Sequence, residues 1–115
     1  MTVKETLIRA IDDRHTVRIL YKEAERVIDP YVLYETRSGS EVLHGWQTEG
    51  VYETSPPPKW CNLKVDDISD VALVGEYKET HRGYNPQSSQ FHRIIRAVKV
   101  SSPRLFLVKS SRSNG

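Results

Sequence analysis

The region between residues 16 and 74 alternates apolar and polar side chains in short runs, and this period of two favours a fold built mainly from β-strands. Residues 16–21 open the pattern with β-branched and aromatic side chains. Further runs, each bounded by turn residues, cover residues 26–35, 41–47, 62–65 and 71–74. The pattern predicts about five short strands joined mostly by hairpins.

A helix is predicted before the first strand, over about residues 3–14. Thr2 and Glu5 have the spacing of a capping box, in which the hydroxyl and the carboxylate accept hydrogen bonds from amides at the helix start. Leu7, Ile8 and Ile11 then share one helical stripe. We expect this stripe to close one end of a small, strongly bent antiparallel β-barrel, because closure removes exposed strand edges.

A second, amphipathic helix is predicted near the C-terminus. Asn85 and Pro86 suit the N-cap and the first helical position. Four apolar residues follow at helical spacing: Phe91, Ile94, Ile95 and Val98. The predicted fold is therefore mainly β with flanking helices in a single domain over residues 1–100. Residues 101–115 are expected to be a basic, partly disordered tail in which residues 105–108 suit a short strand.

Composition limits the setting of the protein. The chain has 115 residues, of which 37% are hydrophobic and 28% charged, with a mean hydropathy of -0.56. No apolar run approaches the roughly 18 residues that span a bilayer, and the first residues do not resemble a signal peptide. The single cysteine, Cys61, excludes an internal disulfide framework and a Cys-rich zinc site. We expect a cytoplasmic protein without membrane contact, with Cys61 as a buried packing residue.

The charges are distributed unevenly along the chain. Residues 1–79 contain ten Lys or Arg and fifteen Asp or Glu, a balance of -5, whereas residues 80–115 contain seven Lys or Arg and no acid, a balance of +7. Such a basic run is typical of segments that contact a polyanion. Arg93, Arg96 and Lys99, on the polar side of the predicted helix, are the candidate nucleic-acid contacts. The alternative is a solvated helix face followed by a loose basic terminus.

Four segments between residues 5 and 75 resemble a WYL domain. Residues 17–21 match a strand that ends in Tyr, and residues 26–31 match the family's R-x-(V/I)-x-P-(Y/L) strand. Residues 42–46 fall at its W-Y-L-x-(A/G)-Y signature, and residues 63–68 resemble its F-R-(L/V)-D-R-I strand.

The resemblance implies an Sm-like barrel with a ligand-binding role. Such domains occur in bacterial regulators of phage defence and DNA-damage responses, where they are thought to bind nucleic acids or nucleotides and to signal to an attached DNA-binding domain. Here Glu41 and Val42 replace the Trp and Tyr that name the family, and Asp67 replaces the Arg of D-R-I. No winged helix is predicted before the first strand, so the resemblance is to a divergent, stand-alone member.

The predicted strand around residue 45 carries the most suggestive side chains. Alternation places His44 and Trp46 on one face of the sheet and Gln47 on the other. An aromatic ring beside an imidazole and an amide can stack on a nucleobase and bind its edge. The alternative is that Trp46 packs in the core and that His44 is satisfied beside it.

Other candidate ligand-binding residues lie on either side of that strand. A mixture of basic, aromatic and amide groups follows a triple proline: Lys59, Trp60, Asn62 and Lys64. Tyr31 and Tyr34 flank the kink expected at Pro30 and can line a groove, although packing is the common role of such tyrosines. Arg82 precedes the predicted second helix, where free amides and the helix dipole can bind a phosphate; ordinary capping by Asn85 is the alternative.

No catalytic motif is present, so we expect no enzyme activity, metal or cofactor. The favoured function is a regulatory module that binds a polyanion, either nucleic acid or a nucleotide. The alternative is a protein-interaction or oligomerisation module that docks through the C-terminal helix or a strand edge, with a homodimer or ring as one outcome. A metal-dependent nuclease is a third, weaker hypothesis, with a site formed by His44, His81 and His92 together with Asp66 or Asp70.

Overall fold

The computed structural model describes residues 1–52 and 55–100. In these ranges one α-helix, α1 (Val3–Asp13), precedes six strands. The strands are β1 (His15–Tyr21), β2 (Ala24–Glu35), β3 (Glu41–Gly50), β4 (Lys59–Lys64), β5 (Ile68–Glu76) and β6 (Arg93–Ala97). A short 3₁₀ helix, Val65–Asp67, joins β4 to β5. The predicted tail over 101–115, with its candidate strand at 105–108, lies outside the described residues.

Helix α1 forms as its sequence predicts. The Thr2 hydroxyl accepts a hydrogen bond from the Glu5 amide at 3.0 Å, and the Glu5 carboxylate accepts one from the Thr2 amide at 2.9 Å. The helix ends at Arg14, which adopts a left-handed conformation with φ of 56°. Leu7 and Ile11 are fully buried. No helix in the described ranges is long and apolar enough to cross a membrane.

The strands form one antiparallel sheet in the order β4-β3-β2-β1-β5, which confirms the prediction of a mainly antiparallel β structure. Strand β2 organises the sheet. Along one edge it pairs with β3; along the other edge its first part pairs with β1 and its last part, Val32 to Glu35, pairs with β6. The register of β2 against β3 shifts between Pro30 and Val32. Pro30 has no amide proton and so donates no hydrogen bond to the ladder at this point.

The sheet is not closed among the described residues, so the predicted barrel is not confirmed. Strands β4 and β5 stand at opposite ends of the strand order and do not pair with each other. The 3₁₀ helix instead bridges the two ends near the β1–β2 hairpin. There the Lys22 amide donates to the Asp67 carbonyl at 3.2 Å, and the Lys64 amide donates to the Tyr21 hydroxyl at 3.4 Å.

The prediction of a C-terminal helix is wrong. Turns follow Asn85, and residues 93–97 form strand β6. The apolar spacing around Ile94 and Ile95 suits a helical stripe, but a short apolar run rich in β-branched residues suits a strand equally well. Pairing with the second part of β2 decides between them, since β1 leaves that edge of β2 unpaired.

Glycine is required at one position beside the candidate site. A Cβ atom on Gly45 would lie 2.6 Å from Ile28 Cγ2 and 2.8 Å from the Asp29 carbonyl oxygen. No side chain fits at these distances without movement of β2. Gly45 therefore allows β3 to approach β2 closely between the two residues, His44 and Trp46, that face the candidate site.

Candidate ligand-binding site

The side chains predicted on β3 and β4 lie together on one face of the sheet. The register places His44 opposite Asn62 and Trp46 opposite Trp60. The rings of His44 and Trp60 stack with centroids 4.8 Å apart and planes 7° apart, and Trp46 meets Trp60 edge-on at 5.1 Å. Alternation along β3 is therefore confirmed, because Gln47 points away from this cluster and is buried on the opposite face.

Both predicted tyrosines of β2 join this aromatic face. Tyr31 contacts Trp60 edge-on at 5.1 Å, and the Tyr34 hydroxyl donates to Asn62 Oδ1 at 3.3 Å. Asn62 Oδ1 also lies 2.9 Å from His44 Nδ1. Burial lowers the pKa of His44, and the hydrogen bond to Asn62 opposes this effect only in part. His44 is thus a neutral, oriented imidazole near pH 7.

A cover segment, defined as residues 77–92 between β5 and β6, lies over the aromatic face. His81 stacks on Trp46 with ring centroids 3.6 Å apart, and its amide donates to the Tyr31 hydroxyl at 2.8 Å. Tyr84 packs on Tyr31 at 4.9 Å, while Phe91 contacts both His44 and Tyr34. The aromatic face is therefore largely packed against the chain itself rather than open as a flat stacking surface.

Arg14 binds the start of the cover segment and the chain just after β6. Its Nη2 donates to Thr80 Oγ1 at 3.0 Å and to the Lys99 carbonyl at 2.8 Å. Its carbonyl accepts from the Tyr77 amide at 3.0 Å, and its guanidinium lies 5.5 Å from the centroid of the Tyr77 ring. Arg14, in the left-handed turn at the end of α1, thus connects the start of the cover segment with the residue that follows β6 by two positions, Lys99.

A cavity that includes Trp46 lies between the aromatic face and the cover segment. This Trp46 cavity has a volume of about 420 Å³. Its walls include Asp29, Trp46, Thr48, Thr80, His81 and Arg82. Burial raises the pKa of Asp29, although the Thr16 hydroxyl donates to its Oδ1 at 2.6 Å and works in the opposite direction. Tyr31 and Glu79 complete the lining, so the cavity combines an aromatic wall with one cation, two carboxylates and three hydroxyls.

Arg82 lines this cavity, but not for the reason that the sequence suggested. The predicted helix after Asn85 is absent, so no helix dipole favours a phosphate there. Asn85 Oδ1 accepts from the Gln87 amide at 3.0 Å, as in an Asx turn. A smaller cavity of about 240 Å³ lies nearby and is bordered by His44, Trp60 and Asn62.

The remaining predicted site residues on the sheet lie away from the aromatic face. Gln47 accepts from Arg26 Nη1 at 3.1 Å and donates to the carbonyls of Glu49 and Val51, so its side chain holds the backbone. Lys64 is exposed at the end of β4. Lys59 borders a different cleft, on the side of β4 that faces the β1–β2 hairpin.

The three cations predicted on a helix lie on and after β6 instead. Arg93 pairs with Glu35 at 2.9 Å, and Arg96 pairs with Asp12 of α1. The hydrogen bond and the charge of Arg93 lower the pKa of Glu35. Lys99 is exposed. Two of the three therefore already have carboxylate partners, although exposed ion pairs of this kind are weak and can exchange.

Sequence reasoning missed the partners that complete the aromatic face, because they come from a segment with no regular pattern. These partners are Tyr77, His81 and Tyr84. The only signal for them in the sequence is that aromatic residues are frequent between residues 77 and 91.

Comparison with protein-family models, curated proteins and solved structures finds no match to this chain. Within the described ranges no cluster of three His, Cys, Asp or Glu residues could hold a metal ion.

Proposed function

We propose that this chain is a regulatory module that binds a nucleotide or nucleic acid without catalysis and uses the Trp46 cavity for this purpose. The observation that carries the proposal is the composition of the cavity wall, where the stacked rings of Trp46 and His81 stand beside Arg82 and Asp29. The volume of about 420 Å³ falls in the range of small-ligand sites.

The aromatic wall suits a nucleobase. A planar base can extend the Trp46–His81 stack, and such stacking contributes about 1–3 kcal/mol per base. Asp29 offers carboxylate oxygens to the amino or imino protons on the edge of a base, while Thr48 and Thr80 add hydroxyls. The chemistry of the wall therefore supports recognition of a base rather than of an extended apolar ligand.

The charges give the ligand an orientation. Arg82 supplies a guanidinium that can bind a phosphate in two-pronged geometry, whereas the carboxylates of Asp29 and Glu79 repel a phosphate. We infer that the base lies towards Asp29 and the phosphate towards Arg82. In this proposal further phosphates of a longer strand contact the exposed Lys99 and replace the carboxylate partners of Arg93 and Arg96.

The sequence resemblance supports a regulatory role. An N-terminal helix followed by short antiparallel strands agrees with the Sm-like, WYL-type architecture that the resemblance implies. Closure of the sheet into a barrel is part of this proposal.

Isothermal titration calorimetry with the four ribonucleoside 5′-monophosphates and a short single-stranded oligonucleotide tests the proposal. We expect saturable binding to at least one probe and a loss of affinity of about tenfold in Arg82→Gln. Arg37→Gln, which removes the same charge from the exposed β2–β3 hairpin, is the matched control. Absence of heat with every probe, or an equal loss in Arg37→Gln, would overturn the proposal.

A second candidate function, self-association through a strand edge, is favoured by one observation. Strand β5 pairs only with β1 among the described residues, and Leu73 and Val74 are 39% and 42% exposed. An exposed edge strand is a template for pairing with a second copy. Size-exclusion chromatography with light scattering measures the molar mass and tests this alternative. A dimer that is lost in Leu73→Lys supports it, and a monomer at all concentrations rejects it.

A further inference from the structure

A basic cleft borders β4, and its lining includes Cys61 and Leu63 together with Trp60 and Asn62, which also belong to the aromatic face. It occupies the gap between β4 and the β1–β2 hairpin and has a volume of about 230 Å³. Three cationic side chains line it: Lys22, Arg26 and Lys59. No Asp or Glu is among its lining residues, and in the described ranges none of the three cations forms an ion pair.

Arg26 is the central group of the basic cleft. The residue is only 9% exposed, and its Nε has no hydrogen-bond partner within the described part of the chain. Nη1 donates to the neutral amide oxygen of Gln47 at 3.1 Å, and the guanidinium lies 5.3 Å from the centroid of the Tyr21 ring. An amide and an aromatic face do not neutralise a buried cation, and a buried charge without a counter-ion is destabilising.

The thiol of Cys61, which lies in the same cleft, does not supply the missing negative charge. Burial raises its pKa to about 11, even though the charges of Arg26 and Lys59 act to lower it. Cys61 is therefore neutral near pH 7. The described residues that line the cleft thus provide cations, a tyrosine and a neutral thiol, but no anion.

The turn of the β1–β2 hairpin places a second cation at the rim. Lys22 and Glu23 both have positive φ, 50° and 66°, which is the geometry of a two-residue type I′ turn. Lys22 Nζ lies 5.5 Å from the centroid of the Tyr21 ring. On the opposite wall Lys59 Nζ lies 5.8 Å from the centroid of the Tyr52 ring.

We propose that the basic cleft binds a dianionic phosphate group, as in inorganic phosphate or the terminal phosphate of a nucleotide. Its volume suits one small tetrahedral anion, and Arg26, whose buried Nε has no partner in the described part of the chain, lines the cleft with a guanidinium that can bind an oxygen of that anion. Three unneutralised cations favour a dianion over a carboxylate or an internal phosphodiester, each of which carries a single charge. This site is separate from the Trp46 cavity and does not require that the Trp46 cavity bind a nucleoside.

A ¹H–¹⁵N NMR titration with inorganic phosphate at constant ionic strength tests the proposal. We expect saturable shifts confined to the amides of residues 21–26 and 59–63. Lys59→Gln, at the rim, is expected to weaken binding about tenfold, and Arg26→Gln to abolish it. Lys78→Gln, which removes one exposed lysine from the cover segment, is the matched control and is expected to bind as the wild type. Thermal unfolding of each variant separates loss of binding from loss of fold, and Lys59→Gln keeps the test valid if Arg26→Gln does not fold.

Two further probes identify the source of the phosphate and separate the two sites. A nucleoside 5′-monophosphate is expected to shift the signals of the basic cleft, whereas the same nucleoside without phosphate is expected to leave them unchanged. A nucleoside that shifts only Trp46 and His81 reports on the Trp46 cavity alone. The basic-cleft proposal is overturned if phosphate and the monophosphate cause no saturable shift there, if the bare nucleoside shifts it equally, or if Lys78→Gln weakens phosphate binding as much as Lys59→Gln.

Discussion

His81 stacks on Trp46 with ring centroids 3.6 Å apart, although β4 and β5 lie between the two residues in the chain. This contact fixes the cover segment on the sheet and forms one wall of the Trp46 cavity. The same pair therefore contributes both to the stability of the fold and to the proposed binding of a nucleobase.

Replacing His81 by Ala is expected to lower the free energy of unfolding by about 1 kcal/mol, because it removes an aromatic pair of the kind that contributes roughly 0.5–1.5 kcal/mol. It is also expected to change the tryptophan fluorescence of the folded protein. Urea denaturation followed by fluorescence measures both effects. His92→Ala, at an exposed histidine in the same segment, is the control and should change stability by less than about 0.5 kcal/mol. Equal losses in the two variants would show that the stacking adds nothing.

Stability is expected to fall on acidification in part because of His44. Burial lowers its pKa in the folded state, so the unfolded chain, with a histidine pKa of about 6.5, takes up the proton first as the pH falls. The contribution of neutral His44 to the free energy of unfolding is therefore fully present above about pH 6.5. It is lost as the pH falls from that value through the lower pKa of the folded state. His44→Gln should show a smaller difference in unfolding free energy between pH 7.5 and pH 5.5 than the wild type does. An unchanged difference would contradict the burial of a neutral imidazole; His92→Gln is the control.

Asp29 is expected to affect the pH dependence of stability in the opposite direction from His44. Its pKa is raised by burial, so its ionisation opposes folding as the pH rises through the folded-state pKa. Asp29→Asn should therefore be more stable than the wild type at pH 7, and this advantage should vanish below about pH 3.9, the unfolded pKa. The same variant should bind nucleoside monophosphates more weakly if Asp29 contacts the base. Asp70→Asn, at an exposed carboxylate of β5, is the control and is expected to change neither the stability at pH 7 nor the binding of nucleoside monophosphates.

Gly45 offers a direct test of the packing beneath the aromatic face. Gly45→Ala places a methyl group 2.6 Å from Ile28 Cγ2, and overpacking of this kind costs about 1–3 kcal/mol. Gly75→Ala is the matched control, because the nearest atom to its added methyl would be Thr16 Cβ at 3.8 Å. Denaturation of the two variants should give a clear loss for the first and a change of less than about 0.5 kcal/mol for the second. Similar values would mean that β2 moves freely away from β3.

The parts of the fold that depend on local pattern were predictable. The capping box at Thr2 begins α1, and alternation along β3 places His44 and Trp46 opposite to Gln47. These outcomes need only the geometry of a helix turn and of a strand, which the sequence carries residue by residue.

The parts that depend on distant pairing were not predictable. Ile94 and Ile95 fit a helical stripe, and only the free edge of β2 makes them a strand. The contact of His81 with Trp46 joins an irregular segment to a strand, and no periodicity encodes it. The lack of an ion pair at Arg26 among the described residues likewise depends on tertiary packing, which no motif records.

The most direct test of the central claim, that the Trp46 cavity binds a nucleotide, is the indole N–H signal of each tryptophan during titration with a nucleoside 5′-monophosphate. The account predicts a large, saturable shift for Trp46, which lines the cavity, and a smaller one for Trp60, which is packed behind it against His44. Signals for both indoles that stay unchanged at millimolar nucleotide, in a protein shown to be folded, would contradict it.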